Sequence, residues 1–285
     1  MERAATKEDG TPYLLSWPLY VCHGIALVGP LVVRFSWAYV GLAAILYAVR
    51  MCLLSAGYHR YFAHRSFKTS RPFQLVLAFV GGTCTQRGAL WWAANHRHHH
   101  AHADQPGDIH SPARDGLYWS HLGWILSKRY EKTRYDRIRD FAAFPELRWL
   151  DRHHFVPSLV YAGTLLVAGG WSALIWGCFV STAFMWHATF SINSLAHLVG
   201  RRRYATGDDS RNNALLGVLM MGEGWHNNHH RYQSSAALGF YWWEVDLTYY
   251  FLKMISWTGL IWDLKPVPKS VFEEGKRADL QRKAA

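Results

Sequence analysis

Cysteine is scarce and badly placed for chemistry. Cys22, Cys52, Cys84 and Cys178 are scattered, with no C-x-x-C pair. This argues against a disulfide framework, a thiolate zinc site and a ferredoxin-type cluster. There is no H-E-x-x-H, so a zinc metalloprotease is not indicated. No internal repeat or low-complexity tract is evident, and the opening Met1–Gly10 is too acidic and mixed for a secretory signal. Charge is also thin, at 18% of residues, and acidic groups are outnumbered 20 to 31, giving a net +11. On a soluble chain that surplus would suggest nucleic acid. Its distribution argues otherwise, because 27 of the 31 Lys and Arg lie either between residues 57 and 155 or after residue 197. The long apolar stretches hold almost none, which is the asymmetry expected when charged segments stay in the cytoplasm. That basic face would suit anionic lipid headgroups or an acidic protein partner.

Aromatic rings, by contrast, are abundant: 15 Trp, 15 Tyr and 14 Phe, side chains suited to a membrane–water boundary. Residues 13–33 are long enough to cross a bilayer core, though Pro18 and His23 interrupt them, and residues 37–57 are apolar apart from Arg50. They read as a hairpin, with Arg50 facing the protein interior or snorkelling. Residues 156–174 and 175–196 form a second hairpin, turning at Gly169-Gly170, with His187 inside as a satisfied buried histidine. Between the hairpins, residues 72–94 suit a helix lying on or dipping into the membrane, and 128–152 a solvated helical region. Residues 236–262 suit an interfacial helix, and the segment from Lys265 a mobile charged tail. The expected architecture is an all-α integral membrane protein, one domain over 1–285. Four transmembrane helices would carry a cytosolic helical cap (58–155 and 197–263) and a tail (264–285).

Eleven of the 17 histidines fall within residues 58–155. His96, His99 and His100 stand at i, i+3 and i+4, leaving His98 turned away, and His226, His229 and His230 repeat that spacing. On a helix each triplet shares a face. Gly57-Tyr-His-Arg-Tyr-Phe-Ala-His64 adds His59 and His64, whose separation of five would hold the rings well apart on an α-helix. Asn193-Ser-Leu-Ala-His197 adds an i, i+4 pair. Nine imidazoles exceed the shell of one ion, so two metals are implied. Imidazole suits zinc, copper and iron, but zinc has no redox chemistry. Only Glu223-x-x-His226 matches the paired Glu-x-x-His pattern of soluble carboxylate di-iron bundles. An all-histidine site against a membrane face suits iron handling oxygen beside a lipid.

These four motifs, in this order, closely resemble those of the membrane fatty acyl desaturases, in the delta-9 (stearoyl-CoA desaturase-like) branch, over roughly residues 37–263. The resemblance implies an enzyme that inserts a cis double bond into a saturated acyl chain with O2 and two electrons. It implies two iron ions held by His59, His64, His96, His99, His100, His197, His226, His229 and His230, with Asn193 holding a water at the more open iron. His102, His110, His121, His153 and His154 stand outside that set, as supporting or surface residues. Asp104, Asp108 and Glu223 are candidates to orient imidazoles by accepting their second N–H. Tyr47 and Ala43, by their spacing before His59, either limit the depth of an acyl tunnel or simply pack.

One departure bears on substrate. Acyl-CoA members carry an Arg-Asp pair before the second box, where this chain has Ala94 and Asn95. A fatty acyl thioester or an acyl lipid therefore both stay open, with Arg87, Lys128 and Arg129 available to meet phosphate. With no electron-transfer motif in the chain, an external donor of cytochrome b5 or ferredoxin type is expected, and an acidic carrier would complement the basic face. The alternatives are desaturation at another position or a hydroxylase on the same scaffold. A metal transporter is disfavoured, because the apolar spans hold little ionisable beyond His23, Arg50 and His187.

Overall fold

The computed structural model describes residues 16–284 and is mostly helical. The opening segment Met1–Gly10 and the start of the first expected span, residues 13–15, lie outside the described residues. Helix α1, Trp17–Val32, has Pro18 in its first turn, where a missing N–H costs nothing. Its 16 residues span about 24 Å. Helix α2, Trp37–Leu54, starts at Ser36, whose side chain accepts from Ala38 N. It runs directly into a nine-residue π-helix, Ser55–Ala63. Together Trp37–Ala63 make one of two helical runs long and apolar enough to cross a membrane.

The other such run, Phe155–His197, has 43 residues. Drawn straight it would be about 65 Å long, twice a hydrocarbon core of about 30 Å. It reverses instead. Within α5 (Phe155–Ala173), Gly169 and Gly170 leave helical geometry, and Gly170 takes φ 65° with ψ −161°, a conformation open to glycine. The return leg, ending in α6 (Ser181–Asn193), lies alongside, so that Tyr161 donates to the Gly177 carbonyl at 2.7 Å. Leu27, Leu31, Trp37, Val167 and Phe184 are each at least 70% exposed, an apolar belt that water does not favour.

Arg50 is buried and donates to Ser181 Oγ, Thr182 Oγ1 and the Thr83 carbonyl, with its guanidinium over the Tyr161 ring. It therefore faces the protein interior and ties α2 to α5, α6 and the segment after α3 (Arg71–Gly82). His187 differs from expectation: it is exposed, although satisfied, its ring nitrogens lying 3.0 Å from His23 and 3.1 Å from His121.

Four other expectations change. Residues 72–94 are not one helix, because α3 stops at Gly82 and a new helix, α4 (Ala89–His102), starts after Thr85 and Arg87 take positive φ. Residues 128–152 break into two 3-10 turns and the short helices Arg139–Ala142 and Pro145–Arg152. Between α7 (His226–Arg231) and α8 (Leu247–Ser256), residues 236–246 are loop. Glu244 accepts the Phe240 and Tyr241 N–H groups there, and Asp246 those of Leu238 and Tyr249. The tail forms a docked helix, α9 (Lys269–Ala284). Val271 is buried, and Asp279 and Glu274 pair with Arg201 and Arg231. A two-strand ribbon, β1 (Lys68–Thr69) antiparallel to β2 (Ile261–Trp262), closes the segment between α8 and α9 against the start of α3.

Candidate metal centre

The first histidine box depends on the π-helix. On an α-helix, five residues would rotate His64 about 140° away from His59. Here His64 N–H donates to the His59 carbonyl at 3.2 Å, an i→i+5 bond, and the rings meet edge to face one turn apart with centroids at 4.8 Å. The two triplets behave differently from a shared face. In α4, His96 and His100 join one group while His99 joins another; in α7, His226 and His230 join the second group while His229 crosses to the first.

The outcome is two adjoining clusters, His59, His64, His96, His100 and His229 in one, His99, His197, His226 and His230 in the other. All nine histidines expected from the sequence fall in these two clusters. In the first, Nε2 atoms stand 3.0 Å (His59–His229) and 2.9 Å (His64–His96, His96–His100, His100–His229) apart. In the second, His197 and His226 are 3.0 Å apart. Nitrogens about 2.1 Å from one ion and at right angles would lie about 3.0 Å apart. Nε2 of His99 and His230 is buried with no hydrogen-bond partner, as a lone pair facing a cation would be. Burial first, and then neighbouring imidazoles, holds His96, His100, His226 and His229 well below the usual histidine range, and His64 likewise. Burial brings His230 down to about 4. Neutral rings are what a cation needs. The residues fit one metal ion per cluster.

Carboxylates set the tautomers. His59 Nδ1 stands 2.5 Å from Glu223, while His99 Nδ1 donates to Asp108 at 2.8 Å and His197 Nδ1 to Asp104 at 2.7 Å. Each contact leaves Nε2 free to ligate. Burial pushes these carboxyls up, but hydrogen bonds and charge from the histidines prevail, taking Glu223 and Asp104 to about 2 and Asp108 lower still. Asp208, which sequence reasoning missed, accepts from His230 Nδ1 at 2.8 Å. Its only local signal was its place in the polar segment joining His197 to the last box.

Asn193 ends α6. It lines a cavity of about 340 Å³ together with His96, and the wall sets Trp and Phe rings, among them Trp92, Trp186 and Phe190, beside polar groups such as Gln86, Arg87 and Glu131. Tyr47 and Ala43 are not in that wall, and the Tyr47 hydroxyl donates instead to the Leu219 carbonyl. Arg87 and Asn95 are in it, whereas Lys128 and Arg129 sit exposed on a 3-10 turn. His98 turns away to the Gly107 carbonyl (2.8 Å), and His110 packs over His99 with centroids at 4.2 Å.

Residues 35–254 match the family model described as Fatty acid desaturase. The chain belongs to that family. This desaturase is an oxygen-dependent oxidoreductase. It is 37% identical over 238 residues to an "sn-1 stearoyl-lipid 9-desaturase" of Anabaena variabilis, covering 83% of this chain and 87% of the relative. It is 36% identical over 248 residues to an "sn-2 palmitoyl-lipid 9-desaturase" of Nostoc sp. (strain 36), covering 84% and 85%. An "Acyl-CoA C20 Delta5-desaturase" of Anemone leveillei is 35% identical over 253 residues, covering 87% and 80%.

Proposed function

We propose that this chain is a delta-9 desaturase of saturated acyl chains, a single domain with four spans and its active site on the cytoplasmic side. Two iron ions are held by His59, His64, His96, His100 and His229 on one side and His99, His197, His226 and His230 on the other. Asn193 positions a water beside the latter. The iron pair supplies activation of O2 and the oxidising capacity for an unactivated C–H bond. Overall, one CH2–CH2 unit, O2, two electrons and two protons give a cis alkene and two waters. The electrons come from a separate carrier of cytochrome b5 or ferredoxin type.

The observation that carries this reading is the cavity: a mostly apolar slot whose wall includes His96 and Asn193. Its rings would hold two adjacent methylenes beside His96, so that orientation lowers the barrier without new bonds to substrate. The apolar belt and the surplus of Lys and Arg in the segments outside it support membrane insertion with the clusters on the cytoplasmic side. The relatives from Anabaena variabilis and Nostoc sp. favour position 9 and an acyl chain carried on a lipid.

The test is expression in a host that makes no monounsaturated fatty acids, with the double-bond position in total lipids read by mass spectrometry. A cis-9 alkene that disappears in His226→Ala is the expected result. An alkene elsewhere moves the assignment of position, and hydroxylated lipids would make the chain a hydroxylase.

A further inference from the structure

The two clusters differ in what stands behind their ligands. Three of the four rings in the second cluster are backed by carboxylates: His99 by the buried Asp108, His197 by the buried Asp104 and His230 by the half-buried Asp208. Among the described residues, none of the three pairs with a lysine or arginine. Each is held in place from elsewhere. Asp104 has φ 56° and accepts from Ser111 Oγ (2.6 Å) and Asp209 N (2.8 Å); Asp108 accepts from Asp104 N (2.8 Å), and Asp208 from Ser210 N (2.9 Å).

In the first cluster only His59 is so backed, and Glu223 is shared with Arg60 Nη2 at 3.3 Å and with Ser55. Nδ1 of His100 and His229 is buried with no partner. The second cluster thus sets three anions beside its ion, whereas the first sets one whose charge is offset by a guanidinium.

Two effects oppose each other. The first cluster offers five nitrogens against four. In the second, each carboxylate makes its imidazole a stronger donor and fixes its ring, and such an outer partner is worth roughly 10–100-fold in metal affinity. Two more carboxylates outweigh one more neutral ligand, and their charge acts on a cation in a poorly screened interior.

We propose that the four-histidine site is the tighter one and fills first, with Asp104, Asp108 and Asp208 as its positioning residues. The five-histidine site, backed by Glu223 alone, fills second. This rests on the metal sites of the proposed function but not on the reaction.

The experiment is titration of metal-stripped, full-length protein in detergent with Co(II), followed by its visible absorption and by competition with a chelator. Two steps separated at least tenfold in affinity are expected. Asp208→Asn and Asp104→Asn should each weaken the tighter step 10–100-fold and spare the weaker. Glu223→Gln should do the reverse, and Asp208→Glu should recover part of the loss. In each variant the spared step reports that the chain is folded; where it is lost, Asp208→Glu decides. Equal affinities in the wild type, or Asp208→Asn acting on the weaker step, would overturn the assignment. A wild-type chain that binds no Co(II) overturns the metal centre as well. Two-step binding without an alkene in the expression test leaves this inference standing and removes only the reaction.

Discussion

Arg60 lies between His59 and His64 on the π-helix and is 1% exposed. Its guanidinium donates to both Asp246 oxygens at 2.8 and 3.0 Å, to the Ala236 carbonyl at 2.7 Å and to Glu223 at 3.3 Å. Gly222, at φ +118°, leaves room for this contact, because a Cβ there would come within 2.2 Å of Asp246 Oδ1. Arg60→Met keeps the bulk and removes the charge, leaving two buried carboxylates facing each other. Breaking a buried pair from one side costs about 3–5 kcal/mol, or roughly 6–20 °C in melting temperature for a chain of this size.

Arg60→Lys, which keeps charge but loses the two-pronged geometry, should fall between the two. The effect also has a pH signature. Glu223 is held down to about 2, against burial, by His59 first and Arg60 next. Its contribution is complete above its unfolded value near 4.5 and lost as pH falls toward 2. Without Arg60 that contribution shrinks, so the gap between wild type and variant should narrow over the same window. Melting within about 1 kcal/mol of wild type would refute the reasoning. It would mean that the backbone donors from Leu238, Gly239 and Tyr249 satisfy Asp246 alone.

Three further outcomes can be checked. Metal-free protein should lose stability as pH falls from about 6.5 to about 4, since the unfolded chain then binds protons that folded His64, His96, His100, His226, His229 and His230 refuse, an effect that His99, raised against burial by Asp108, offsets only in part. His230, at about 4, contributes on the order of 3 kcal/mol of this; melting at pH 7, 6 and 5 measures it, and a flat profile contradicts it. Tyr47→Ala should leave product chain length unchanged, as read by gas chromatography, because its hydroxyl binds Leu219 outside the cavity wall. His98→Gln should keep two metal ions per chain by elemental analysis and lose about 1 kcal/mol of stability with its hydrogen bond to Gly107.

The chemistry of this protein was legible in its residues because ligand identity is local. Nine histidines at short, repeated spacings announce a two-metal site whatever the fold, and apolar stretches of span length announce a bilayer. The turn at Gly169-Gly170 was equally legible, since a conformation open mainly to glycine sits where two spans meet. Partition was not. Spacing groups His96 with His99 and His100, yet the rings divide between two clusters, because the partners that complete each cluster arrive from α7, the π-helix and the turn at His197. The π-helix itself left no pattern that an α-helical period could show. Asp208 is 22 residues from His230 in the chain and 2.8 Å from it in space. The tail's charges suggested a free end, and only Arg201, Arg231 and a buried Val271 docking site made it a helix. The candidate ligands could be named from sequence, since that follows from side-chain chemistry; tertiary contacts decided which of them gather together and what anions stand behind them, since both depend on segments far apart along the chain.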